Sequence, residues 1–254
     1  MPFSSLGLIA PLAQTVAERN YLAPTPVQAA VIPAVLRGED VWASAQTGSG
    51  KTAAFALPML QRLASMPRER GTVAALVLVP TRELAAQITA SFKAYGAHMP
   101  EPALKVVTIF GGVSLNPQMM ALRGGADIVV ATPGRLLDLL KRNALTLSAI
   151  STLVLDEADR LLDLGFSDEL GRILRQLPAQ RQSLLFSATF PPEVRELAEK
   201  ILHTPFRFEG ATTDTTAQPA TIVQRAIEVD PPRRTQLLRH LIETNGWTRV
   251  LVFV

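Results

Sequence analysis

Six short apolar runs constrain this chain more than any other feature: VWAS (41–44), AALVLVP (74–80), KVVTIFGG (105–112), DIVVAT (127–132), TLVLDE (152–157) and SLLFSAT (183–189). Each is rich in Val, Leu, Ile or Phe, shows little polar alternation and ends in small or polar residues, which is how strands covered on both faces read. Helical patterns lie between them: TAAFALPMLQRLA (52–64), TRELAAQITASFKAY (81–95), GRLLDLLKR (134–142), SDELGRILRQL (167–177) and PEVRELAEKIL (192–202). The alternation predicts an α/β fold, a mostly parallel sheet with helices on both faces. With 254 residues and 48% hydrophobic composition, the chain can bury one such core and begin a second.

The character changes after Phe208. EGATTDTTAQPA (209–220) has no apolar period and is dense in Thr, Gly and Pro, so it reads as an exposed linker. Beyond it, TIVQRAIEV (221–229), RTQLLRHLIETNG (234–246) and TRVLVFV (248–254) read as strand, helix and strand. The expected organisation is therefore one domain over 1–208, a linker over 209–220, and the opening of a second α/β unit over 221–254, cut inside an apolar strand.

Composition removes several function classes. Zero cysteines exclude a disulfide framework, a thiolate zinc site and a cysteine nucleophile, and suit a reducing cytoplasm. The N-terminus has no basic segment ahead of its short apolar run, and no stretch is long enough to span a bilayer, so the chain reads as a soluble cytoplasmic protein without a membrane partner. Twenty-five basic against twenty-two acidic residues leave a net charge of +3, a weak argument for a polyanion partner.

The chemistry is carried by ASAQTGSGKT (43–52), which follows one strand candidate and precedes a helix. Gly48 and Gly50 permit a tight backbone path whose N–H groups point at phosphate oxygens beside a helix N-terminus. Lys51 supplies a point charge for the terminal phosphates, and the Thr52 hydroxyl is placed for Mg²⁺. Ala45 stands where the phosphate-loop pattern opens with glycine, a harmless change if that position does not need positive φ. In TLVLDEAD, Asp156 ends an apolar strand and would hold Mg²⁺ through water, while Glu157 would polarise an attacking water. On residues alone, DEAD could equally be an acidic cluster serving a helix dipole, and TPGR (132–135) a proline-started helix cap.

Taken in order, YLAPTPVQ (21–28), AQTGSGKT (45–52), PTRELA (80–85), the Gly111–Gly112 pair, TPGR (132–135), DEAD (156–159) and SAT (187–189) resemble the N-terminal RecA-like domain of a DEAD-box ATP-dependent RNA helicase, most of all the bacterial RhlE-type subgroup. That family carries alanine at the position of Ala45. The resemblance implies a P-loop site for ATP or ADP with Mg²⁺, built from Ala45, Gln46, Thr47, Gly48, Ser49, Gly50, Lys51 and Thr52. Gln28 would read the adenine edge, Phe3 would stack on the ring, and Tyr21 belongs to the same pocket. Lys51, Asp156 and Glu157 would be the catalytic set. RNA would be held by Pro80, Thr81, Arg82, Gly111, Gly112, Thr132, Pro133, Gly134 and Arg135, mainly through phosphate and sugar. Asp159, Ser187 and Thr189 would couple nucleotide state to RNA. Asn20 departs from the family's usual glycine, but Asn tolerates the left-handed region. A second RecA-like domain is the implied partner. The resemblance therefore implies RNA-dependent ATP hydrolysis with local duplex unwinding. The competing readings are an RNA-binding or scaffold module with a non-hydrolysing site, and a DNA-directed motor.

Overall fold

Seven strands form one sheet in which every pairing is parallel. They are β1 Val41–Ser44, β2 Val73–Leu78, β3 Val106–Ile109, β4 Ala126–Ala131, β5 Thr152–Leu155, β6 Gln182–Ser187 and β7 Phe206–Glu209. Their order across the sheet is β3-β4-β2-β5-β6-β1-β7. The computed structural model describes residues 2–67, 71–100, 103–210, 223 and 225–253.

Successive side chains on each strand go to opposite faces, and each face has its own helices. Val41, Ala43, Ala75, Val77, Val154, Leu184 and Phe186 bury against α1 Ala10–Glu18, α2 Pro26–Leu36, α3 Lys51–Ala64 and α4 Arg82–Tyr95. Trp42, Leu76, Leu78, Leu153, Leu155 and Leu185 bury on the other side, with α5 Asn116–Ala121, α6 Pro133–Lys141, α7 Ala158–Asp163, α8 Ser167–Leu174 and α9 Pro192–Ile201. Both faces being covered is why the strands read as unbroken apolar runs. Phe55 packs its ring 5.3 Å from Phe186 and 6.1 Å from Phe92, joining α3 to the sheet and to α4. Truncating a fully buried ring of this kind costs about 3–5 kcal/mol.

The seventh strand was not legible as a strand. β7 lies at the sheet edge against β1, from Val41↔Phe206 to Ser44↔Glu209, and runs one residue into the stretch expected as linker. Buried Asp40 secures this side from below: it accepts from the Ser183 N–H and the His203 N–H, each at 2.7 Å. With the lower ends of β1, β6 and β7 pinned together, their upper ends stay level.

Residues Met1–Ala211 and Thr212–Val254 form separate units. In the second, a 3-10 turn at Pro231–Arg233 leads into α10 Arg234–Asn245, which ends at Gly246 in the left-handed region with φ 61°. Residues 211–220 of the expected linker, and 221, 222, 224 and 254 of the expected strands, lie outside the described residues. Of the described ones, 225–229 and 248–253 are not in strands. A strand exists only by pairing, and Leu251 and Phe253 are 80% and 88% exposed. The apolar pattern is present in TRVLVFV, but among the described residues no strand pairs with it.

Candidate nucleotide and nucleic-acid sites

Six of the seven motifs sit on loops that leave the carboxyl ends of strands, on one edge of the sheet and in two contiguous sets; YLAPTPVQ follows α1 and runs into the start of α2. Loops after β1, β5 and β6 carry AQTGSGKT, DEAD and SAT; loops after β2, β3 and β4 carry PTRELA, the glycine pair and TPGR. The register levels them: Ser44 is opposite Ser187, Leu155 opposite Leu185 and Leu78, and Ala131 opposite Leu78 and Ile109.

In the first set, the loop 45–50 turns through two left-handed glycines, Gly48 at φ 83° and Gly50 at φ 94°. Ala45 is not among the positive-φ residues, so the missing glycine changes nothing in the loop's path. Ala45 donates its N–H to Ser187 O at 3.0 Å, tying the start of the loop to the SAT segment. Gly50 caps α3, and a Cβ there would collide with the Gln28 amide. Gln46, Thr47 and Gly48 are exposed, Ser49 is half-buried with its hydroxyl donating to Gln46 O at 2.8 Å, and Thr52 is half-buried at the start of α3.

Lys51 is 7% exposed, and its Nζ has no hydrogen-bond partner among the described residues. Asp156 is 2% exposed. Burial pushes its carboxyl up to about 6, against the lowering effect of the Lys51 charge and of the Glu157 N–H; the charges of Glu157 and Asp159 push further upward. The Glu157 N–H donates to Asp156 Oδ1 at 3.0 Å. Glu157 itself sits at φ 53°, a left-handed backbone on a non-glycine residue that caps α7. Strain of this type, of order 1–3 kcal/mol, gathers at functional sites. A buried cation without a partner, a buried acid and a strained acid thus meet at the mouth of a glycine-turned loop.

Asp159, Ser187 and Thr189 form one hydrogen-bonded cluster. Asp159 Oδ2 accepts from the Thr189 N–H and hydroxyl, both at 2.9 Å; the Asp159 N–H donates to Ser187 Oγ at 3.1 Å, and the Ser187 hydroxyl donates to Thr189 O at 2.7 Å. Burial raises the Asp159 carboxyl, but the Thr189 hydroxyl and N–H and the Arg160 N–H together hold it below the ordinary carboxylate value.

The residues expected at adenine also make contacts within the chain. Gln28 is 4% exposed, and both ends of its amide are engaged within the chain: Oε1 accepts from the Thr25 N–H at 3.0 Å, and Nε2 donates to Gly50 O at 3.1 Å. It completes a capping box at the start of α2 and ties that helix to the phosphate loop. Phe3 is buried in the core, its ring 6.4 Å from that of half-buried Tyr21, so its faces are committed to packing. Tyr21 OH lies 3.3 Å from Tyr95 OH. Asn20 takes φ 57°, the left-handed turn expected of it.

In the second set, Pro80 is buried and Thr81 caps α4, accepting from the Leu84 N–H at 3.2 Å. Arg82 is exposed and paired with Glu83. Gly111 and Gly112 follow β3; Gly112 has φ 81°, and a Cβ on it would stand 3.7 Å from Arg82 Nη1. Thr132 and Pro133 are buried at the start of α6, and Gly134 faces open space. Arg135 does not point outward. Its side chain is 12% exposed, Nη2 donates to Val113 O at 2.9 Å, and Nε lies 3.9 Å from Asp138. Sequence reasoning also missed Gln118, which is 8% exposed and bonds the backbone of Phe110. Nothing in a lone Gln within a short helix could have announced that.

The DEAD/DEAH box helicase family matches residues 25–197, more than half of the chain. The chain is 44% identical over 255 residues to the ATP-dependent RNA helicase DeaD of Mycobacterium tuberculosis, covering 99% of this chain and 43% of that protein. It is 39% identical to the DEAD-box ATP-dependent RNA helicase RhpA of Helicobacter pylori, covering 49% of that protein. To the ATP-dependent RNA helicase DbpA of Escherichia coli it is 42% identical, covering 53%. It spans about half the length of the curated relatives it matches. No helix among the described residues is long and apolar enough to cross a membrane. With the parallel α/β sheet, the glycine-turned phosphate loop and the DEAD segment at the end of β5, the match to this family places the chain: it belongs to the DEAD/DEAH box helicases.

Proposed function

We propose that the chain is the nucleotide-binding part of an ATP-dependent RNA helicase, in which ATP hydrolysis is stimulated by RNA and coupled to local duplex opening. The observation that carries the nucleotide half is the buried Lys51 Nζ without a partner, close enough to Asp156 to lower its carboxyl. An unpaired buried cation is costly; a phosphate delivered by the backbone cradle of 45–50 removes that cost. The 45–50 amides and Lys51 bind the phosphates, and Glu157 accepts the proton of the attacking water. Thr52 and Asp156 present hydroxyl and carboxylate oxygens, the hard ligands that suit Mg²⁺. When bound there, Mg²⁺ supplies positive charge against the phosphates. Phe3, Tyr21 and Gln28 border the adenine end, where Gln28 retains a second N–H and a second lone pair beyond its two internal bonds. Selection for adenine therefore needs no loss of the capping box.

RNA is proposed to lie across Pro80–Arg82, Gly111–Gly112 and Thr132–Arg135, gripped by phosphate and sugar without reading of bases. A second RecA-like domain supplies the remaining positive groups for hydrolysis and the other half of the RNA groove. An RhlE-type subgroup and a cytoplasmic location complete the proposal. The direct test is calorimetric titration of the chain with ADP and GDP. ADP should bind with GDP weaker by about tenfold, one mismatched paired contact. Equal affinities would remove the adenine pocket, and failure of either to bind would remove the nucleotide site. In a longer protein carrying the second domain, RNA should accelerate ATP turnover.

A further inference from the structure

The loop FGGVS (110–114) has no regular structure of its own, yet buried Gln118 and half-buried Arg135 fix its two ends. β3 is an edge strand, paired only with β4. Ile109 turns its C=O toward that partner, accepting from the Thr132 N–H at 2.9 Å. The next residue along a strand points its peptide groups the other way, so Phe110 offers an N–H and a C=O to the open edge. Gln118, from α5, meets both: Oε1 accepts from the Phe110 N–H and Nε2 donates to Phe110 O, each at 3.1 Å, with Ser114 O a further 3.5 Å contact. A side-chain amide carries the same donor and acceptor as a peptide, so Gln118 stands in for the missing strand for one residue. At the other end, Arg135 Nη2 holds Val113 O at 2.9 Å. Gly111 and Gly112 hang between these two fixed points.

We propose that Gln118 is a positioning residue for nucleic-acid binding: it touches no ligand, and with Arg135 it holds the 110–114 loop so that the glycine amides stand ready for a phosphate. This rests on the RNA reading given above. Donors fixed beforehand lose less conformational freedom on binding than donors on a free loop. Arg135 contributes to this positioning through Nη2 on Val113 O.

The test compares the chain with Gln118→Ala and Gln118→Glu, measuring Kd for a fluorescent single-stranded RNA and for ADP. Gln118→Ala should weaken RNA about five- to tenfold, leave ADP affinity unchanged, and leave the slope of affinity against salt unchanged, since no cation is removed. Gln118→Glu adds a readout that general loosening would not produce. Its carboxylate still accepts from the Phe110 N–H but repels Phe110 O; protonated, it donates again. Its RNA affinity relative to the parent should therefore recover as pH falls from about 7.5 toward the carboxyl range, near 4.3 or above because the site is buried. Parent-like RNA binding by Gln118→Ala would overturn the proposal and leave the RNA reading standing. So would equal loss of RNA and ADP affinity, or a Gln118→Glu deficit that does not change with pH. A parent chain that fails to bind RNA at low salt would overturn both.

Discussion

The two halves of the loop-bearing edge hold their charges differently. Around β5, β6 and β1 the key charges are inside: Lys51 and Asp156 are buried, Lys51 Nζ is unpaired, and Glu157 is held in a strained backbone. Around β3, β4 and β2 Arg82 stands in solvent, paired with Glu83, and Arg135 is only partly engaged: Nη2 donates to Val113 O, while its buried Nε and Nη1 have no hydrogen-bond partner among the described residues. The first half stores unfavourable free energy that a ligand can release. The second presents backbone and an exposed guanidinium, and its polar side chains serve to hold that backbone still. Changes in the first half should therefore act steeply and on one step, while changes in the second should act shallowly and spread over many contacts.

The steepest break is expected at Glu157, in a longer protein with the second domain. Glu157→Gln should lower ATP turnover by about 10²–10⁴-fold, the range for loss of a general base, while nucleotide Kd moves less than about threefold. Glu157→Gly should do the same to turnover but raise the folding stability of the present chain by about 1 kcal/mol, because φ 53° is strained for Glu and free for Gly. Urea midpoints decide the second part: a destabilised glycine variant would mean that the left-handed turn at Glu157 holds no strain. Next in size is Lys51→Ala, which should weaken ADP by about 100-fold, the scale of two charge-assisted hydrogen bonds. An unchanged Kd would show that the unpaired Nζ does not face the phosphates.

The sequence made one half far more readable than the other, and for a physical reason. Strands covered on both faces read as apolar runs, so β1 to β6 stood out; FRFE of β7 alternates between half-buried and exposed and carried no strand expectation. Gly48, Gly50, Lys51 and the DEAD carboxylates were legible because phosphate chemistry demands those residue types at those spacings. Amides were not: Gln28 was expected at adenine and is found tying α2 to the phosphate loop, and Gln118 carried no expectation. An amide can donate and accept anywhere, so its partner is decided by tertiary placement. Arg135 is similar: a guanidinium can meet a phosphate or a carbonyl, and its Nη2 is found on Val113 O.

In the shallow half, Arg82→Ala should weaken single-stranded RNA by less than about tenfold, about equally across sequences, and reduce the salt slope by about 1. Arg135→Ala should weaken RNA with little change in slope, because its side chain is directed at Val113 O and not at solvent. Equal slope changes for the two arginines would erase the distinction between a contact and a support.

The smallest effect belongs to the cluster that joins the DEAD segment to SAT. Thr189→Val removes the hydroxyl that donates to Asp159 Oδ2 at 2.9 Å and keeps the side chain's shape. A single hydrogen bond to a carboxylate, partly open to solvent at Thr189, is worth about 1 kcal/mol. Its pH dependence follows from the direction of the Asp159 shift. The folded chain holds this carboxyl below its ordinary value of 3.8, burial notwithstanding, through the Thr189 and Arg160 donors. The folded state therefore binds fewer protons than the unfolded one in that range, and the stabilisation is complete above 3.8 and lost as pH falls through the lower folded value. The stability gap between parent and Thr189→Val should be constant from neutral pH down to about 5 and should close below the carboxylate range. Urea midpoints measured along that series give the answer. A gap that persists at the acid end would mean that the hydroxyl contributes by packing alone, and the link between DEAD and SAT would then be steric instead of ionic.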